Sequence, residues 1–168
     1  CAGTIGGVGN NSTGVVGVSW RVRLMGVKFL SSSGSGSTAD AITCIDYATL
    51  MGARVMNNSW GGGGYSQALK DSIDASGAAG LVFAAAAGNN GMSAPTYPAS
   101  FDNVIAVGAS DYDDLRMSFS NYGVNVDVMA PGDSIWSTYP GGYGYMSGTS
   151  MAAPHAAGVA ALLLSVNP

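Results

Sequence analysis

Apolar runs and helical periodicities alternate along this chain. Val22 to Leu30 is rich in β-formers, the polar loop SSSGSGSTAD follows, and Ala41, Cys44, Ile45, Ala48 and Met51 then recur at helical spacing. That order predicts strand, loop, helix. Arg54 to Trp60 predicts a second strand running into four glycines, Gln67 to Ala79 a second helix weakened late by Gly77, and Leu81 to Ala86 a third strand that is apolar throughout. Val104 to Ala109 and Val126 to Met129 predict further strands, separated by the polar stretch DYDDLRMSFSNYG. A wholly apolar strand between helices belongs in a parallel sheet buried on both faces. The expected fold class is therefore α/β, with three layers, α/β/α, around a mainly parallel central sheet.

The last helix is the most informative. Pro154 breaks a helix interior but costs no hydrogen bond within the first turn, so the helix is expected to begin near Thr149 or Ser150, with Pro154 in that turn. Ser150 then stands at a helix N-terminus, where capping alone explains a serine. Its surroundings suggest more. Gly141, Gly142, Gly144 and Gly148 crowd the approach and let another backbone come close, and the helix dipole favours negative charge beside Ser150. AAAAGNN is a second candidate, because the carboxyl end of a parallel strand is where open α/β sheets place ligands, and Asn89 there is a carboxamide donor. NNSWGGGG is a third, a glycine-rich strand end able to pair with an extended peptide.

Composition narrows the classes. Charged residues make up 10% of the 168, and all ten acids are Asp against six Lys and Arg, a net charge of −4 with no basic run. Nucleic-acid binding is not expected. The longest apolar helix candidate, Ala156 to Leu164, is short of a membrane span, so no membrane partner is expected either. Cys1 and Cys44 are expected as two free, buried thiols, with a disulfide in an oxidising compartment as the alternative. No internal repeat or linker marks a second domain, so residues 1–168 read as one unit. The chain starts without Met and without a signal-peptide pattern, as a portion of a longer precursor would.

These segments together resemble one family. GTSMAAPHAAGVAALLLS resembles the nucleophile motif of the subtilisin-like serine peptidases, AAAAGNNG their oxyanion motif, NNSWGG their substrate-binding strand, and CAGTIGGVGNNSTGVVGV the segment after their catalytic His. DVMAPG, YPA and the SGSG loop recur in the family's order and spacing, so the resemblance covers essentially the whole chain. It implies a secreted endopeptidase whose substrate is a protein or peptide, with Ser150 as nucleophile and Asn89 with the Ser150 N–H as oxyanion hole. It further implies that Gly34, Ser35 and Gly36 border an extended substrate on one side and Ser59, Trp60 and Gly61 on the other. Ala85, Ala86, Ala87, Gly88 and Thr96 would line the pocket for the side chain preceding the cut, with room for a large apolar group.

The family's Asp and His both precede Cys1 in its chain order, so the resemblance is to a fold incomplete at its amino-terminal end, inactive unless a further segment completes it. His155, the one histidine, lies about 140° around a helix from Ser150 and about 7.5 Å along it, which points to a structural role. GNNSTGV resembles the family's calcium loop, with Asn11 as side-chain ligand and carbonyls of Val8, Thr13 and Val15 beside it, although calcium takes 6–8 oxygens and no acid lies in this loop. A structural calcium is thus the one implied ion, with no cofactor for catalysis. Gly34, Gly36 and Ala39 also fit a dinucleotide fingerprint, but no acid lies in Met56 to Trp60 to meet a ribose. Gly148-Thr149-Ser150-Met151-Ala152 lacks the final glycine of an α/β-hydrolase elbow. A catalytically silent peptide-binding scaffold is the alternative reading.

Overall fold

Four parallel strands pair in chain order, β1 (Val55–Asn58), β2 (Val82–Ala86), β3 (Val104–Ser110) and β4 (Val128–Pro131), in a computed structural model that describes residues 1–167. Val55 lies beside Val82, Phe83 beside Val104, and Val107 beside Val128, so the carboxyl ends of β1 and β2 open at the same edge. Helices α2 (Thr38–Leu50) and α3 (Gln67–Ala78) each start at a serine cap: Ser37 Oγ accepts from Asp40 N at 3.1 Å, and Ser66 Oγ from Leu69 N at 3.3 Å.

Alternation along β2 and β3 divides the interior into two layers. Phe83, Ala85, Val104 and Ala106 face α2 and α3, packing with Ile45, Leu69, Ile73 and Phe101. Ala86, Val107 and Ala109 face the other way, against Ala152 and Ala153 of α4 (Thr149–Val166). Small residues on that helix let its backbone sit close on the sheet. The three-layer α/β/α expectation is met. Helix α1 (Ala2–Gly6) packs on α4 and on the antiparallel hairpin β5 (Ile135–Tyr139) and β6 (Gly142–Met146), where Thr4 Oγ1 donates to Ser137 Oγ at 3.0 Å.

Several expectations need correcting. Val22 to Leu30 forms no strand, and Leu24, Met25 and Val27 are exposed. β-formers express their preference only against a neighbouring strand, and β1 pairs with β2 alone among the described residues. Helix α4 is twice the length of Ala156 to Leu164: its 18 residues have mean hydropathy 1.4, long and apolar enough to cross a membrane by length and composition. Its buried Ala152, Ala153 and Ala157 make it a core helix on the sheet. The cysteines are free but not buried, Cys1 being exposed and Cys44 half-buried. The hairpin has little signature in the sequence because its glycines and tyrosines lack a strong apolar alternation, although Pro140-Gly141-Gly142 is a turn signal.

Candidate active site

Pro154 lies in the second turn of α4, not the first, and this places the site's main feature. A proline there cannot donate to the carbonyl four residues back, which belongs to Ser150. The freed carbonyl is taken by another element. Ser59 Oγ donates to Ser150 O at 2.8 Å, and the Ser150 hydroxyl donates back to Ser59 O at 3.1 Å. Asn57 Nδ2 donates to Ser59 Oγ at 3.0 Å, and the Cys1 thiol lies 3.5 Å from both Ser59 Oγ and Ser150 O. The helix start is thereby stapled to the end of β1.

Asn89 reaches the same helix start from the end of β2. Its Oδ1 accepts from Thr149 N and from Thr149 Oγ1, each at 2.9 Å, while Thr149 Oγ1 accepts from Gly88 N at 3.1 Å. With Oδ1 so engaged, Nδ2 has no acceptor among the described residues. The Ser150 N–H, in the first turn of α4, has no intrahelical acceptor. Two N–H donors therefore stand free at the start of the helix that carries the Ser150 hydroxyl, at the positive end of its dipole. Gly148 precedes the helix at φ +151°, a conformation that favours glycine, and a Cβ there would make only ordinary contact with Asn89 Nδ2, at 3.5 Å.

Ser59, Trp60, Gly61, Ala87, Gly88, Asn89, Thr96 and Ser150 are brought together. The Thr96 methyl lies 3.4 Å from where a Cβ on Gly88 would be and 3.6 Å from one on Gly61, both ordinary contact distances, while the room left by the missing Gly88 Cβ is taken by Asn121 Nδ2. Gly34, Ser35 and Gly36 form an exposed turn next to this edge, with Phe29 at their base packed edge-on to Trp60 at 5.0 Å. Ala85 and Ala86 depart from the expected lining. Their side chains are buried in the two opposite cores, so they form the strand floor and a larger side chain at either would overpack a core. Two clefts of about 190 and 240 Å³ lie elsewhere, one beside Tyr122, Val126 and Met129, the other beside Val8, Asn10 and Trp20.

His155, the one histidine, does not bond the Ser150 hydroxyl. The His155 Nδ1–H donates to Met151 O at 2.9 Å, and burial holds the ring below the usual histidine range. His155 is a neutral, structural ring, as its helical position predicts. Val8, Asn11 and Thr13 are exposed and Val15 half-buried, and Asn11 Oδ1 accepts from Thr13 N at 3.1 Å, keeping one lone pair. No group of three His, Cys, Asp or Glu fit for a metal occurs among the described residues.

An α/β fold with a serine at a helix start, set against a carboxamide at the end of a parallel strand, defines the class of protein. The whole chain, residues 1–168, matches the model of the subtilase family, and the chain belongs to that family. It is 49% identical to subtilisin DY of Bacillus licheniformis over 99% of its length and 62% of that protein's, and 46% identical to thermitase of Thermoactinomyces vulgaris over 98% and 60%. A crystal structure of a cold adapted subtilisin-like serine proteinase superposes with TM-score 0.90 at 44% identity, covering 99% of this chain and 60% of that one. The chain thus spans about three fifths of the length of these relatives.

The sequence singles out Ser150, Asn89 and the Ser59 segment, which the structure brings together. It does not single out Thr149 and Asn57, whose signal is adjacency to those residues, or Asn121, hidden in a stretch that reads only as a loop.

Proposed function

We propose that residues 1–168 form part of one catalytic domain of a serine endopeptidase, acting on extended segments of protein through an acyl-enzyme at Ser150. The observation that carries this reading is the pair of free donors at the start of α4, Asn89 Nδ2, whose carboxamide Thr149 fixes, and the Ser150 N–H. Donors fixed before reaction stabilise the oxyanion of a tetrahedral intermediate without reorganising. A silent scaffold has no use for that arrangement.

Ser150 Oγ attacks the scissile carbonyl once its proton is taken, and in the resting chain that proton points at Ser59 O. The base and its orienting carboxylate come, in this reading, from a further segment carrying an Asp and a His. The peptide lies between Gly34–Gly36 and Ser59–Gly61, paired through main-chain groups, with the side chain before the cut entering the space between Gly61, Gly88 and Thr96. That space suits a large apolar group. A structural calcium at the Val8–Val15 loop requires carboxylates from outside this chain, with Asn11 and the carbonyls of Val8, Thr13 and Val15 giving part of the shell. Secretion is proposed with the activity, on the strength of the family.

The test is peptide hydrolysis by the full-length enzyme that carries this chain. Substrates with Phe or Leu before the cut are turned over, and Ser150→Ala abolishes the activity. Full activity in Ser150→Ala overturns the reading.

A further inference from the structure

Asn121 is 3% exposed and directs its whole side chain and its backbone N–H to one stretch of chain, Ala87 to Thr96. Its Nδ2 donates to Ala87 O at 2.9 Å and to Thr96 Oγ1 at 3.0 Å, and its Oδ1 accepts from Asn90 N at 3.1 Å and Met92 N at 3.2 Å. Its backbone N–H donates to Gly88 O at 3.0 Å. The partners flank Asn89 on both sides. Gly88 is shaped to admit this side chain: φ is +107°, and a Cβ there would sit 2.4 Å from Asn121 Nδ2.

We propose that Asn121 is a positioning residue that holds the Ala87–Met92 turn so that Asn89 faces the oxyanion, and that ties this turn to Thr96 in the pocket wall. This rests on the peptidase reading above. Asn89 has only its own side chain fixed by Thr149, whereas the backbone that carries it is exposed at Asn89 and Asn90 and is anchored from below by Asn121. Because the same amide nitrogen holds Ala87 and Thr96, oxyanion stabilisation and side-chain preference are set together. A displacement of the donor by about 1 Å is worth up to about 100-fold in rate.

The experiment uses the full-length enzyme with peptide substrates carrying Phe or Ala before the cut. Asn121→Ala is expected to lower kcat about 10- to 100-fold and to lower the Phe-to-Ala ratio of kcat/KM as well, both at once. Asn121→Asp separates position from fold. Protonated, the introduced carboxyl still donates to Ala87 O and accepts from the turn; ionised, it accepts only, so kcat gains a new loss with rising pH that the unmodified enzyme lacks. Asn125→Ala, which removes one exposed hydrogen bond to Ser93 O, leaves activity unchanged. Unaltered kcat and ratio in Asn121→Ala, or an unaltered pH profile in Asn121→Asp, overturns the proposal. Hydrogen exchange on the unmodified protein decides even where a variant does not fold: the Asn90 and Met92 amides are expected to be protected despite lying in an exposed turn, and fast exchange there overturns it. If the unmodified enzyme hydrolyses nothing while those amides are protected, the peptidase reading fails and the anchoring stands.

Discussion

Thr149 holds Asn89 twice, through its backbone N–H and through its hydroxyl, both donating to Oδ1 at 2.9 Å. Thr149 is fully buried, and its hydroxyl also accepts from Gly88 N at 3.1 Å. Thr149→Val keeps shape and backbone bond but removes the hydroxyl, leaving Gly88 N unpaired and Asn89 on one anchor. Loss of about 1–2 kcal/mol of donor fixation corresponds to about a 5- to 30-fold fall in kcat, with KM little changed. Steady-state kinetics on the full-length enzyme check this. Unchanged kcat shows that the backbone bond alone fixes Asn89.

The link between Ser59 and Ser150 depends on Pro154, since the carbonyl that accepts the Ser59 hydroxyl at 2.8 Å is the one Pro154 cannot serve. Ser59→Ala is expected to destabilise the protein by about 1–3 kcal/mol by stranding that carbonyl. In a Pro154→Ala background the new N–H takes the carbonyl, so the cost of Ser59→Ala shrinks. Urea unfolding of the double-mutant cycle measures the coupling. Equal cost in both backgrounds contradicts it.

How much of this was legible in the sequence follows from the range of each cause. Parallel strands β1 to β4 and helices α2 and α3 are readable within about three residues because their apolar periodicity is local. Ser150 and Asn89 were readable because glycine, helix start and strand end stand beside them in the chain. Val22 to Leu30 failed because a strand requires a neighbour that its own sequence does not specify. Pro154 was placed one turn early because the substitute donor, Ser59, is 91 residues away. Ala85 and Ala86 were read as pocket lining because alternation decides which core each side chain enters, and both cores were full. Asn121 was invisible for the same reason, its partners lying 25 to 34 residues off.

His155 supplies a pH test. Burial lowers its folded-state pKa, so below the unfolded value of about 6.5 the unfolded chain binds more protons than the folded one. Stability contributed by the neutral ring is therefore complete above that pH and is lost as pH falls from it through the folded pKa. Thermal midpoints between pH 7.5 and 5 are expected to drop on acidification, and His155→Gln, whose amide still reaches Met151 O, to show a shallower drop. An equal slope in both proteins assigns the acid loss to other groups.

The most direct measurement of the central claim is stoichiometric labelling of the full-length enzyme with a fluorophosphonate, mapped by mass spectrometry. One label per molecule on Ser150 is predicted, absent in Ser150→Ala, and formed far more slowly in the 168-residue chain alone because its one histidine does not bond that hydroxyl. Labelling of a different serine, or equally rapid labelling of the 168-residue chain, would contradict the account.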